Sequence, residues 1–344
     1  MTRQGSNPLV SIITPSYNQA AFIEDTIRSV FAQTYTPIEY LVVDGASEDG
    51  SQAIIERYAD RLAWWVTEPD AGQADAINKG LKRAQGEIVA WLNSDDLYLP
   101  GAVAGAVAAL QANPQLGMVF GDAITIDAQG RLLNSLTFRD WGLAEFISFR
   151  IICQPAVFMR REVRERAGLL DTSFHFLLDH HLWIRLARLA PVQHISAYWA
   201  AARHHPGAKN VAQAEGFGSE ALRILSWMQT QSDLASLVEI NRRRVQAGAF
   251  RLTGRYLLDG EKPGPALRAY GRALLASPGF ALQHWHRMLY AVLSLLGAGR
   301  LGSWYHQLGL PRSRRRPDLA VLPGLQGWPG LSIHRNPGEE VKFY

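Results

Sequence analysis

The sequence predicts an α/β architecture: a mainly parallel sheet flanked by helices, followed by a mostly helical C-terminal region. Three observations carry this. Short β-rich runs alternate with amphipathic stretches through roughly the first 140 residues. The stretches between runs are long enough, at about 10–15 residues, for crossover helices. From about Asn210 onward, helical patterns follow one another with no clear strand between them.

The elements follow in order. Residues 10–14 form the first strand and 22–33 the helix after it. Residues 38–43 form a second strand, closed by Asp44-Gly45, with a helix over 51–59. A third strand covers 62–67, with a helix over 73–84. A fourth covers 87–92, and an Ala-rich helix over 101–111 follows Pro100. Residues 118–126 and 131–138 pair as strands turning at Asp127-Ala128-Gln129-Gly130. Farther on, Gly254, Tyr256, Gly260, Ala266, Tyr270, Ala273 and Pro278 are spaced like one tetratricopeptide unit. The tail after Pro311 is rich in Pro and Gly. The expected division is a sheet domain at 1–208, a helical domain at 209–310 and an irregular basic tail at 311–344.

Composition narrows the function. The 344 residues are 47% apolar and 19% charged, which excludes wholesale disorder. The single cysteine, Cys153, excludes a disulfide framework and a Cys-cluster zinc site and fits a reducing cytoplasm. No run reaches the ~18 apolar residues of a membrane span; the longest, 288–299, has 12. The net charge of +4 divides unevenly: residues 1–208 carry 17 Lys+Arg against 22 Asp+Glu, and 209–344 carry 18 against 9. An acidic half suits cation binding and a basic half an anionic partner.

In an open parallel sheet, ligands bind at the carboxyl ends of the strands. Those ends read Thr14-Pro15-Ser16-Tyr17-Asn18, Asp44-Gly45-Ala46-Ser47-Glu48-Asp49-Gly50, Glu68-Pro69-Asp70-Ala71-Gly72-Gln73 and Asn93-Ser94-Asp95-Asp96. Asp-Gly turns and capping by Ser51 or Asp70 account for single motifs. Asp95-Asp96 is different, because adjacent carboxylates repel and need a cation or donors. A hard divalent ion shared with a diphosphate would supply that. The glycine fingerprints of dinucleotide and P-loop sites are absent from these strand ends.

These motifs, with Gly72-Gln73-Ala74-Asp75-Ala76-Ile77-Asn78-Lys79-Gly80 between them, resemble the nucleotide-sugar core of family-2 glycosyltransferases. The resemblance covers about residues 9–206 and implies a GT-A, Rossmann-like sheet and a metal-dependent, inverting, hexosyltransferase-like enzyme. It implies that Thr14, Pro15 and Asn18 line the nucleotide pocket and that Asp44 accepts a hydrogen bond from the base. Asp70 and Lys79 would flank the ribose and diphosphate, and Asp95 would face the ribose. In this DXD-like motif Asp96 would hold Mg²⁺ or Mn²⁺, with Ser94 where some relatives keep an acid. The segment DTSFHFLLDHHLWIRLAR, residues 171–188, resembles the acceptor-side helix, with Asp179 as catalytic base and His181 at the next acidic position. Asp179 is also suited to cap a helix over 182–189. Gln154, in an expected strand at the acceptor pocket, would bond donor or acceptor sugar. Arg203 and His205 resemble a closing Arg-x-His loop, with His205 on the metal or diphosphate and Arg203 as counter-charge.

The expected partners are a UDP-, GDP- or dTDP-sugar and a glycan or lipid-linked acceptor, in cell-surface polysaccharide or glycoconjugate synthesis. The expected location is cytoplasmic, at the inner face of the membrane. The apolar stretch 285–296 and Arg312, Arg314, Arg315 and Arg316 suit a core helix beside a solvated charge run first, and a peripheral membrane contact second. No aromatic-interleaved basic platform points to nucleic acid. Transfer to a polyprenyl phosphate, and a catalytically silent sugar-nucleotide binder, are the alternatives.

Overall fold

The computed structural model describes residues 7–205, 207, 213–296 and 327–331. Arg312, Arg314, Arg315 and Arg316 lie outside them. The chain divides into two compact units, the first drawn from Met1–Gly142, Ile152–His204 and Arg316–Arg335, the second from Leu143–Ile151 and His205–Arg315 with Asn336–Tyr344.

In the first unit, β1 (Val10–Ser16), α1 (Ile23–Phe31), β2 (Ile38–Asp44), α2 (Ser51–Glu56), β3 (Trp64–Thr67), α3 (Gln73–Arg83) and β4 (Ile88–Trp91) alternate in chain order. There follow β5 (Leu97–Tyr98), α4 (Ala102–Ala112), β6 (Met118–Asp127) and β7 (Leu132–Leu136), then β8 (Val157–Arg160), α6 (Arg161–Ala167), α7 (Leu178–Ala187) and β9 (Val192–His204). The sheet runs β3-β2-β1-β4-β8-β6-β9-β5, with β7 on β6. The β3-β2-β1-β4 half and the β6-β9 pair are parallel, whereas β8 lies antiparallel to both neighbours.

Burial explains why β1 is central. All seven of its residues are buried, which fits a strand covered on both faces. Pro15 sits in it without loss, since β1 pairs with β4 only as far as Ile13↔Trp91 and the missing N–H falls beyond that ladder. Helix α3 lies so close to β1 that a Cβ on Gly80 would clash with the Ile13 side chain. Trp328 adds a late segment to this unit by donating its indole N–H to the Tyr98 carbonyl at 2.8 Å.

Two local expectations are corrected. Gln154 opens a 3-10 turn, Gln154–Ala156, with Pro155 inside it, and the strand begins only at Val157. Helix α7 begins at Leu178, so Asp179 lies inside its first turn and the cap residue is Leu177. An acidic first-turn residue is favoured there by the helix dipole.

The second unit contains α5 (Leu143–Ile147), α8 (Ala214–Thr230), α9 (Ser232–Ile240), α10 (Arg242–Asp259), α11 (Pro263–Ala276), α12 (Pro278–Ala281) and α13 (Trp285–Leu295). The tetratricopeptide-like spacing resolves as the α10–α11 hairpin, with Gly254 against the Tyr270 ring and Phe217 stacked on Tyr256 at 3.8 Å between centroids.

Replacing Gly80 tests the packing of α3 on β1. Gly80→Ala gains about 1 kcal/mol of helix propensity but forces a contact that a packed core relieves only at about 1–3 kcal/mol. We expect a net lower melting temperature, read by circular dichroism. An unchanged or higher value would show that β1 and α3 separate without cost.

Candidate functional site

The carboxyl ends of β1, β2, β3 and β4 are joined by side chains rather than by proximity alone. Asn18 takes a left-handed conformation, φ 52°, which Asn tolerates better than most residues. That turns its N–H to Ser47 Oγ at 2.8 Å and lets its Oδ1 accept from Glu48 N–H at 3.0 Å. The Asp44 carboxylate is fully buried and accepts from Ser47 N–H, Ser47 Oγ and Thr67 Oγ1 at 2.9, 2.6 and 2.7 Å. Asp49 accepts from Ala20 N–H and from Ser51. Burial works against its charge, but the Ser51 hydroxyl and the two N–H groups outweigh it and lower its pKa.

Glycine at 45 has a specific reason. A Cβ there would lie 2.6 Å from Asp70 Oδ2 and 3.3 Å from the Tyr17 ring, so the β2 and β3 ends and Tyr17 close together only over glycine. Asp70 also accepts from Gly72 N–H at 2.7 Å. Lys79 anchors the same loop, bonded to Glu68 at 2.8 Å and to the Pro69 carbonyl at 3.1 Å.

The densest bonding surrounds Asp95-Asp96. Asp96 is 6% exposed. Its Oδ1 accepts the Arg203 backbone N–H at 3.0 Å, and its Oδ2 accepts Asn93 Nδ2 at 3.1 Å. Burial, then the neighbouring Asp95 charge, pushes its carboxyl well above the usual range, opposed by those two donors and the Arg203 charge. Asn93 also donates to Gln154 Oε1 at 3.1 Å and accepts from Gln73 at 2.8 Å, while Gln154 donates to the Trp91 carbonyl. From α1, Thr26 Oγ1 reaches the Ser94 and Asp96 carbonyls at 2.9 and 2.8 Å.

Arg203 completes the turn from β9. Its side chain is 1% exposed; it bonds the carbonyls of Asp95 and Ala128 at 3.0 Å, pairs with Asp25 at 3.3 Å and lies over the Phe22 ring. Burial lowers its pKa, with Asp25 first among the charges opposing that. Its guanidinium therefore binds protein groups behind the acidic turn.

Asp179 reaches the same region through aromatic packing. Trp183 of α7 stacks on Trp91, the last residue of β4, at 5.1 Å and 19°. Asp179 is one turn earlier on α7, at the i, i+4 spacing that shares a face. It is partly exposed, whereas Trp183 is buried. Cys153 gives a second bearing: burial pushes its thiol up, and the Asp96 and Asp179 carboxylates both push it the same way. Both carboxylates therefore lie near enough to Cys153 for their charge to act on it.

The family described as glycosyl transferase family 2 matches residues 11–166. An uncharacterized glycosyltransferase of Mycobacterium tuberculosis is 31% identical over 186 residues, spanning 53% of this chain and 70% of that one. The chain belongs to glycosyl transferase family 2. A putative teichuronic acid biosynthesis glycosyltransferase of Bacillus subtilis, TuaG, is 47% identical over 94 residues, 26% of this chain and 37% of that protein. The chain spans 36%, 63% and 28% of the lengths of three Rickettsia glycosyltransferases it also matches. The mannosyltransferase PcManGT of Pyrobaculum calidifontis, solved with GDP-Man and Mn²⁺, superposes with a TM-score of 0.58 at 22% identity, over 85% of this chain and 87% of that one. That likeness establishes the GT-A fold.

Thr14 and Pro15 are buried, with the Thr14 hydroxyl on the Tyr40 phenol at 3.0 Å, and it is Tyr17, 63% exposed, that presents a ring at this strand end. His181 is buried against Phe174, 4.6 Å between ring centroids. His205 follows the end of β9, two residues after Arg203. Asn93 and Gln73, which stand among the strand-end residues in the sequence but carry no role there, tie Asp96 to α3. The Asn-Ser-Asp-Asp string was the available signal for Asn93.

Asp96 fits one arm of a divalent-cation site, because a cation would offset both its burial and the Asp95 charge. Among the described residues no three Asp, Glu, His or Cys side chains gather around a metal position, so diphosphate and water oxygens would have to supply the other ligands.

The Arg203 clamp is open to direct test. Arg203→Met keeps the bulk but leaves buried carbonyls without a donor, at about 1–3 kcal/mol. We expect a lower urea midpoint together with weaker donor binding. Unchanged stability would show that the clamp holds nothing.

Proposed function

We propose that this chain is an inverting glycosyltransferase. It moves a sugar from a UDP-, GDP- or dTDP-linked donor to a hydroxyl of a glycan or lipid-linked acceptor, in cytoplasmic steps of cell-surface polysaccharide synthesis. The observation that supports this reading is the Trp91–Trp183 stack, which joins the strand leading into the Asp95-Asp96 turn to the helix that carries Asp179. A donor lying along the β1–β4 strand ends would have its diphosphate at Asp96 and its sugar toward α7. The relatives' names support the pathway class, since TuaG is assigned to teichuronic acid biosynthesis. The GDP-Man bound to PcManGT supports a nucleotide-sugar donor.

The chemistry is a single displacement. The acceptor oxygen attacks the anomeric carbon as the bond to the diphosphate breaks. The hydroxyl proton passes to Asp179, whose partial exposure leaves it open to an acceptor. The exposed Tyr17 ring stacks on the base, and Asp44, Asp70 and Asn18 shape the nucleoside end. Asp95 faces the ribose, and Arg203 positions the acidic turn. Asp96, with diphosphate and water oxygens, would hold Mn²⁺ or Mg²⁺, and the ion would supply positive charge beside the leaving diphosphate.

Two substitutions test these roles separately. Asp179→Asn keeps size and helix position but cannot take the proton. Donor affinity should persist by calorimetry while transfer falls by about 10²-fold or more. Near-normal turnover would remove Asp179 from the base role, and absence of any turnover in the unaltered chain would favour a silent binder. Asp96→Ala should abolish Mn²⁺-dependent donor binding; unchanged affinity with Mn²⁺ present would remove Asp96 from the metal.

A further inference from the structure

Among the described residues ten large apolar side chains are exposed, and seven of them fall between Leu275 and Leu296. Leu282, Trp285, Leu289, Val292 and Leu296 are spaced 3, 4, 3 and 4 apart and are 40–75% exposed. That spacing aligns them as one stripe along α13 and its flanks. A stripe of this kind ordinarily faces a core. Here the core-facing side is a different one: Ala291 packs with Ala266 and Tyr270 of α11. Exposed apolar surface gathered in one place marks a contact site.

Charge selects the occupant. From Lys262 to Leu296 the chain carries Lys262, Arg268, Arg272 and Arg287 and no carboxylate. Lys262, Arg268 and Arg272 are exposed, and Arg287 pairs with Asp259 at 2.6 Å. A second copy would meet the cations of 262–296 with no carboxylate from that stretch, the nearest being Glu261 and the Asp259 already paired with Arg287, whereas helix pairing relies on opposite charges. An anionic surface offers the missing sign. The stripe covers 15 residues and about 21 Å of helix, short of the ~30 Å hydrocarbon core. No described helix is long and apolar enough to cross a membrane.

We propose that α13 lies in the plane of an anionic lipid surface. The Leu282–Leu296 stripe enters the acyl boundary, Trp285 sits at the interface, and the cations of α11 face lipid phosphates. This holds whatever sugar is transferred.

Sedimentation of the full chain with phosphatidylcholine vesicles, with and without phosphatidylglycerol, tests it. The chain should pellet with the mixed vesicles at low salt, less with the neutral ones, and less in about 1 M salt, where screening is short-ranged. The triple variant Trp285→Gln, Leu289→Gln, Val292→Gln should lose about tenfold or more of the bound fraction. Its melting temperature and donor affinity should stay unchanged, since the altered side chains are exposed. A wild-type chain that stays in the supernatant, or that pellets equally with neutral vesicles, overturns the proposal. So does a triple variant that pellets like wild type. A wild-type dimer made monomeric by the triple variant would assign the stripe to self-association instead.

Discussion

A carboxylate shut away from water must be given donors, and the geometry of this site follows from supplying them to Asp96. Burial and the adjoining Asp95 both oppose its charge. Its two oxygens are met by a backbone N–H from β9 and an amide from Asn93. Each donor is itself held. Asn93 is fixed by Gln73 and Gln154, and the Arg203 backbone is fixed because its guanidinium bonds Asp25 and the Asp95 and Ala128 carbonyls. Together with Thr26, these bonds draw α1, α3, the Gln154 turn, β6 and β9 onto one acidic turn.

The second constraint is aromatic. The Trp91–Trp183 stack joins the strand that ends in the acidic turn to the helix that carries Asp179. Because both rings are buried, core packing fixes where α7 meets the end of β4, and the acidic turn's own hydrogen bonds then place Asp96. Preorganisation of that kind suits a displacement in which the acceptor proton must leave as the oxygen attacks.

Much of this was legible in the sequence, and for identifiable reasons. Buried parallel strands read as short apolar runs, and Asp, Asn and Gly at their ends marked the ligand side, so β1 to β4 and their helices stand out. The gaps have equally physical causes. The resemblance makes Thr14 a pocket residue, but in the strand its hydroxyl is buried on the Tyr40 phenol. The start of α7 was misplaced because Asp179 suits a cap and a first turn alike. By resemblance Arg203 is a counter-charge in a closing loop; only its burial behind Asp95 reveals that its donors are spent on the protein. For α13 the sequence leaves an outward and a core-facing reading open, since a 3-4 spacing is the same whether it meets a core or not.

The central claim is that one displacement, with Asp179 taking the proton, occurs across the Asp96 turn. The most direct measurement is the anomeric configuration of the product, read by proton NMR on transfer from whichever UDP-, GDP- or dTDP-sugar stabilises the folded chain. A single displacement predicts that an α-linked donor gives a β-linked product. Retention of the donor's configuration would contradict the account.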